Sequence, residues 1–176
     1  MSRFLVLLIT ASLVFSAVVK SGEVTVKWQN PEKFSDIRAA NENQKRFRKE
    51  VINRLTKHWV KQAEKLPEGV KLEVTMTNLN LAGEVHYSFA MNREIRVIKN
   101  LYWPRMNFEY KLTEGGKLIE QGEKQLSDMM FMDRSQLRAD RDVNFYEKRI
   151  ISDWFVDDVP LMLANWQREQ NAVMSE

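Results

Sequence analysis

Between Ala40 and Lys65 the apolar residues fall on one stripe: Phe47, Val51, Leu55, Trp59 and Ala63, spaced four apart, with Ile52 and Leu66 on the same side. That spacing follows the 3.6-residue turn of an α-helix, so the stripe must be buried against another layer. Pro67-Glu68-Gly69 ends the helix, because proline cannot continue it and glycine takes the positive φ of a cap. The period then changes at once. Val70, Leu72, Val74 and Met76 alternate with Lys71, Glu73, Thr75 and Thr77, the pattern of a half-buried strand. A helix that hands over directly to such a strand restricts the chain to layered α/β architectures.

Other segments fill in the layers. Val24, Val26 and Trp28 alternate until Asn30-Pro31 stops them, and Pro31 to Ile37 reads as a loop with Phe34 turned inward. Gly83 suggests a turn or bulge, and Glu94 to Ile98 a short strand with Ile95 and Val97 inward. Met106, Phe108, Tyr110 and Leu112 alternate up to Glu114-Gly115-Gly116-Lys117, a tight hairpin turn returning through Leu118 to Leu126. Pro104 fits a strand start or an edge. In the last third, Ile151, Phe155, Val159, Met162 and Trp166 form a helical stripe flanked by Tyr146, Ile150 and Trp154. Pro160 should kink or divide this helix, with Asp158 capping the second piece. The expected fold is α+β: a mainly antiparallel sheet of four to five strands, with a long N-terminal helix and a C-terminal helix packed on one face. Residues 22–170 form one domain in this reading, and 171–176 a frayed tail.

Met1-Ser2-Arg3 is a short positive start, followed by an almost unbroken apolar run from Phe4 to Val19. A spanning helix needs about 20 apolar residues, and this run is short for one. Small residues at Ser16, Ala17, Ser21 and Gly22 offer cleavage sites. Residues 1–21 are therefore read as an export signal, the competing reading being an uncleaved anchor helix. No second apolar stretch follows, so a soluble periplasmic protein is expected, without a membrane span in its mature form. Losing Arg3 and Lys20 lowers Lys+Arg from 27 to 25 against 24 Asp+Glu, which takes the net charge from +3 to +1. Basicity then gives no argument for nucleic acid. The chain has no cysteine, which excludes disulfides, thiolate nucleophiles, cysteine-bound metals and a lipid-modified N-terminal cysteine.

Residues able to carry chemistry are few. His58 lies at the border of the helix stripe, where an ordinary half-exposed position explains it. His86 follows Glu84 by two, which on a strand aims both side chains at one face. Asp128, Asp133, Asp140, Asp142, Glu147, Asp153, Asp157 and Asp158 gather in the last third near Arg134, Arg138, Arg141 and Arg149. Paired carboxylates can perform acid–base hydrolysis; ion pairing and helix capping are the plainer reading. The long helix carries Lys45, Arg46, Lys49, Arg54, Lys57 and Lys61 on its polar side, a surface for anionic lipid or polysaccharide, or simply a solvated one.

An ordered series of segments resembles a known family: Val26-Lys27-Trp28-Gln29-Asn30-Pro31-Glu32-Lys33-Phe34-Ser35-Asp36, Leu66-Pro67-Glu68-Gly69, Leu79-Asn80-Leu81-Ala82-Gly83-Glu84, Trp103-Pro104-Arg105, Leu126-Ser127-Asp128-Met129 and Tyr146-Glu147-Lys148-Arg149-Ile150-Ile151-Ser152-Asp153-Trp154-Phe155. The chain is similar to the bacterial "domain of unknown function 3016" family of exported proteins, over roughly residues 24 to 156. The resemblance implies export and one domain, and supplies no mechanism. It also implies aspartates before Leu-Ala-Gly-Glu where this chain has Asn78 and Asn80, which argues against a carboxylate metal site there.

The resulting expectation is a non-enzymatic periplasmic accessory or binding protein. Its contact surface would be the open sheet face or the Trp103-Pro104-Arg105 region, and its partner an envelope protein or a cell-wall or anionic ligand. Candidate ligand-binding residues are Glu84, His86, Trp103, Arg105, Tyr146, Glu147, Arg149 and Asp153. No catalytic residue, metal or cofactor is assigned. Two alternatives stand beside this reading: a polyanion- or membrane-surface-binding module using Lys45, Arg46, Lys49, Arg54, Lys57 and Lys61, and a carboxylate-dependent hydrolase of the cell envelope.

Overall fold

A computed structural model describes residues 22–134 and 142–175. The expected export signal lies outside the described residues, as do Arg138, Asp140 and Arg141.

The first strand, β1 (Glu23–Trp28), leads through α1 (Gln44–Ala63) to β2 (Val70–Asn80). β1 and β2 are parallel, with Glu23 opposite Lys71 and Trp28 opposite Met76. A connection that contains a full helix brings the chain back to the end from which it started, and that makes the pair parallel. After β2 come a hairpin of β3 (Glu84–Ser88) and β4 (Arg93–Val97), then a second of β5 (Arg105–Glu114) and β6 (Lys117–Ser127). The main sheet is mixed and four-stranded, in the order β1-β2-β5-β6. β3 and β4 form a separate two-stranded sheet. Two of the three pairings in the main sheet are antiparallel, within the expected mainly antiparallel sheet of four to five strands; the parallel β1 and the separate hairpin lie outside that expectation.

α1 is 20 residues long, shorter than the Ala40–Lys65 stretch expected. Asn43 caps it by accepting the Arg46 N–H at 3.1 Å, and Gln44 turns its amide back onto Ala39 and Ile37, which keeps Ala40 to Glu42 out of the helix. Its stripe of Val51, Leu55, Trp59 and Ala63 is buried on the apolar faces of β2 and β5. Trp59, Phe108, Trp154 and Phe155 meet edge to face, with centroids 5.2–5.7 Å apart. The opposite sheet face carries Thr25, Lys27, Lys71, Glu73, Glu109 and Lys111, all exposed and of mixed charge.

The C-terminal helix is divided, as proline at 160 demands, into α2 (Phe145–Asp157) and α3 (Val159–Met174). Asp158 occupies the capping position, but its carboxylate pairs with Lys124 of β6 and caps nothing. Trp166 of α3 donates to Glu114 at the β5–β6 turn at 3.0 Å.

On β4 all four residues from Glu94 to Val97 are half-buried, so the side of Ile95 and Val97, expected to face inward, is covered no more than the other. Arg96 and Glu94 reach the body of the domain through Asp36 and Arg38, while Ile95 and Val97 are half-buried on the other side.

Gly83 takes φ +77°, and a Cβ there would sit 2.5 Å from the Val97 carbonyl oxygen. Gly115 takes φ +55° with nothing within 4 Å. Both Gly→Ala changes should therefore cost about 1–3 kcal/mol of backbone strain. Gly83→Ala adds a steric clash, so its urea midpoint should fall clearly below that of Gly115→Ala.

Candidate functional site

Where β2 ends, the chain runs through Leu81-Ala82-Gly83, all three buried, before β3 begins. Buried backbone groups need partners, and here other segments provide them. Leu81 N–H donates to the Asp36 carbonyl at 3.1 Å, and Gly83 N–H to the Tyr102 carbonyl at 2.8 Å. Ala82 N–H donates to Glu147 Oε1 at 2.7 Å. Arg96 Nη1 donates to the Gly83 carbonyl at 2.8 Å, and the same guanidinium holds the Asp36 carboxylate through two bonds of 2.7 and 3.1 Å. It also donates to the Arg38 carbonyl at 2.9 Å.

Glu147 is 2% exposed and lies in the first turn of α2, where the helix dipole favours negative charge. Burial nevertheless pushes its carboxyl above the ordinary carboxylate range. The Ala82 N–H, its own N–H, the Asn144 side chain and Arg96 pull the other way. Asn144 sits at φ 61°, a left-handed position that asparagine tolerates, and its side-chain oxygen also accepts from Arg54 Nε at 3.1 Å.

A second network lies on the other side of α2. Arg149 donates to Asp128 at 3.0 Å and to the Phe131 carbonyl at 2.5 Å, with its guanidinium over the rings of Phe145 and Tyr146. Arg134 joins Asp128 to Asp153, at 3.5 and 2.5 Å. Phe131, Tyr146 and Ala82 form a small buried cluster with Trp103 against it.

Between α1 and α2 opens a cleft of about 550 Å³ lined by Arg54, Lys57, His58, Lys61, Asp142, Phe145, Lys148, Arg149 and Ser152. Three of its cations have carboxylate partners: Arg54 with Glu50, Lys148 with Asp142, and Arg149 with Asp128. Lys57 and Lys61 have none among the described residues. Two guanidinium nitrogens of Arg149, Nε and Nη1, are buried and find no hydrogen-bond partner among the described residues. His58 Nε2 lies 2.8 Å from Ser152 Oγ, and that hydroxyl donates to the Lys148 carbonyl at 2.9 Å. Burial pushes His58 below the ordinary imidazole range; Lys148 and Lys61 add to this, and the Lys148 carbonyl and Asp142 oppose it. The cleft thus holds an imidazole whose charged form is disfavoured, amid positive charge.

The candidate ligand residues do not share one pocket. Glu84 and His86 meet on β3 at 3.1 Å, with the Tyr102 hydroxyl bonded to Glu84. Arg105 is exposed and stacks on Trp103, its guanidinium 5.2 Å from the ring. Glu147, 2% exposed beneath Ala82, borders a second cavity of about 370 Å³ with Tyr146 and Arg96, while Arg149 and Asp153 belong to the arginine–aspartate network. Of the basic helix residues, Arg54, Lys57 and Lys61 line the cleft; Lys45, Arg46 and Lys49 are exposed elsewhere on α1. Arg96, Lys148 and Ser152 were not singled out from the sequence as site residues. Lys148 and Ser152 follow one another by four, a spacing that places them on one helix face.

A family model described as "Protein of unknown function (DUF3016)" matches residues 22–157. The chain belongs to that family. No curated protein and no solved structure matches it. The family match ends at the last residue of α2, so the sheet, the Glu147 and Arg96 contacts and the cleft lie within it and α3 lies beyond.

Glu147 gives a pH-dependent test. Its raised value means that its contribution to stability is present below the ordinary carboxylate range and is lost as pH rises through its folded value. Glu147→Gln keeps an acceptor for Ala82 and cannot ionise. Relative to wild type it should gain in urea stability as pH rises from about 4 to 7. Glu147→Ala orphans the Ala82 N–H and should cost at least about 1–3 kcal/mol.

Proposed function

We propose that the protein is an exported, non-enzymatic binding protein of the cell envelope, whose ligand is anionic and docks in the cleft between α1 and α2. The observation that carries this reading is the convergence of Arg54, Lys57, Lys61, Lys148 and Arg149 on one concave surface whose lining includes a single carboxylate, Asp142. Concave, positively charged walls focus field toward an anion. His58 and Ser152, 2.8 Å apart, place polar side chains on the same wall.

Export is supported by the charged start and apolar run of residues 1–19, and by where the family match begins, at Gly22. Gly22 is buried, donates to the Leu66 carbonyl at 3.1 Å and has no room for a Cβ, which would lie 2.4 Å from Leu66 Cβ. The packed domain is therefore committed from its first described residue. A non-enzymatic role is supported by the use made of the acids. Asp128, Asp142, Asp153 and Asp158 are each paired with a cation, and the Glu147 carboxylate is 2% exposed and holds the Ala82 N–H.

Titration calorimetry of the purified protein with inorganic phosphate, pyrophosphate and a sulfated polysaccharide tests the cleft. Binding that weakens with salt is expected, together with a loss of at least about tenfold in Lys57→Glu/Lys61→Glu. Lys45→Glu/Lys49→Glu should change little; an equal loss in both variants would replace the cleft with a diffuse helix face. Because burial disfavours the charged form of His58 and an anion favours it, binding should tighten on acidification, and His58→Gln should lose that dependence. Turnover of a cell-wall or glycan substrate would overturn the non-enzymatic reading.

A further inference from the structure

One end of the main sheet gathers the chain's exposed apolar side chains. Asn80, Arg105 and Ser127 are register neighbours, so β2 ends, β5 begins and β6 ends at the same edge. The β3–β4 hairpin and the segment 98–104 are inserted there between β2 and β5, and the segment after β6 departs from there. The bond between Ala82 and Glu147 brings the start of α2 to the same end.

Of the 14 large apolar residues exposed among the described ones, eight belong to these segments: Tyr87, Phe89, Met91, Ile98, Leu101, Met129, Met130 and Val143. The remaining six are spread over α1, β6, α2 and α3, so the concentration at this end is not a general property of the surface. The hairpin tip is the extreme case. Phe89 is 90% exposed and Met91 58%, on a turn held by Asn92 in a left-handed conformation at φ 49°. Apolar side chains this exposed mark a surface that meets an apolar medium or partner.

The charge around them indicates which. Glu94 is paired with Arg38 and Asp128 with Arg149. Arg93, Lys99 and Arg105 have no carboxylate partner among the described residues, against two acids in these segments, Glu84 and Asp133, without a lysine or arginine partner. The surplus is positive. Tyr87, Tyr102 and Trp103 add the aromatic rings that favour the boundary between lipid and water.

We infer that this end of the domain rests on an anionic phospholipid bilayer, with Phe89 and Met91 at the β3–β4 tip entering the headgroup region and Arg93, Lys99 and Arg105 meeting lipid phosphates. No helix among the described residues is long and apolar enough to cross a membrane, so this contact is peripheral. It is independent of the cleft between the helices and uses none of its residues.

Co-sedimentation of the purified protein with vesicles of phosphatidylglycerol and phosphatidylethanolamine, against vesicles of phosphatidylcholine alone, tests it. Binding to the anionic vesicles is expected, weakened but not abolished by salt because the apolar tip contributes. Phe89→Ser/Met91→Ser should lose at least about tenfold in affinity without a change in thermal midpoint, since both side chains are exposed. Arg93→Glu/Lys99→Glu should lose the preference for anionic vesicles, and Lys57→Glu/Lys61→Glu should bind them as wild type does. No binding at low salt, unchanged binding by the tip variant, or loss confined to the Lys57/Lys61 variant would overturn the inference. So would a concentration-dependent dimer that the tip variant abolishes, which would assign the patch to a second copy of the chain.

Discussion

The backbone of Leu81-Ala82-Gly83 must be buried without a strand beside it, and much of the surrounding structure answers that requirement. The sheet cannot serve these groups, because β2 has already left its ladder. The partners come instead from the loop at Asp36, the loop at Tyr102, the Arg96 side chain on β4 and the Glu147 side chain on α2. Each of these segments is thereby fixed relative to the others. A side-chain carboxylate holding a backbone amide is costly to place in the interior, and it is also specific, since only one packing of α2 brings Glu147 to Ala82. The same packing sets α2 beside α1 and so makes the cleft.

Charge is distributed by this scheme rather than by composition. The last third is rich in aspartate, yet Asp128, Asp142, Asp153 and Asp158 are engaged by nearby arginines and lysines. Lys57 and Lys61 remain uncompensated over the cleft, and Arg93, Lys99 and Arg105 at the hairpin end. A chain close to neutral once Arg3 and Lys20 are discounted thus presents two separate positive surfaces, one a polar cleft, the other edged with exposed apolar side chains. These suit different contacts: a ligand that must be enclosed, and a surface that must be touched.

Features set by neighbouring residues were legible in the sequence. The α1 stripe, the alternation of β2 and β5, the Gly115-Gly116 turn and the break at Pro160 are all local patterns, and the structure has each of them. Features set across the fold were not. The parallel pairing of β1 depends on where the crossover returns. On β4, alternation separates Arg96 from Ile95 and Val97 but does not show that Arg96 pairs with Asp36, which lies far away in the sequence. The cleft escaped notice because Lys57 and Lys61 belong to one helix and Lys148 and Ser152 to another, and only interhelical packing joins them. Trp103-Pro104-Arg105 was legible as a unit, yet the structure half-buries Trp103 and leaves Arg105 outside.

The parallel β1 also bears on the order of assembly. It is the first described strand to be synthesised, but its one hydrogen-bonding neighbour begins only at Val70, after the whole of α1. Pairing across that separation is slow compared with closing the β5–β6 hairpin through two glycines. Until β1 docks, β2 presents a free edge along its most apolar stretch, the kind of edge that recruits other chains. Once docked, β1 puts Glu23, Thr25 and Lys27 along the outer border of the sheet, while β6 guards the opposite border with Glu120, Gln121, Glu123 and Lys124. The short opening strand thus acts as a late-closing seal against self-association.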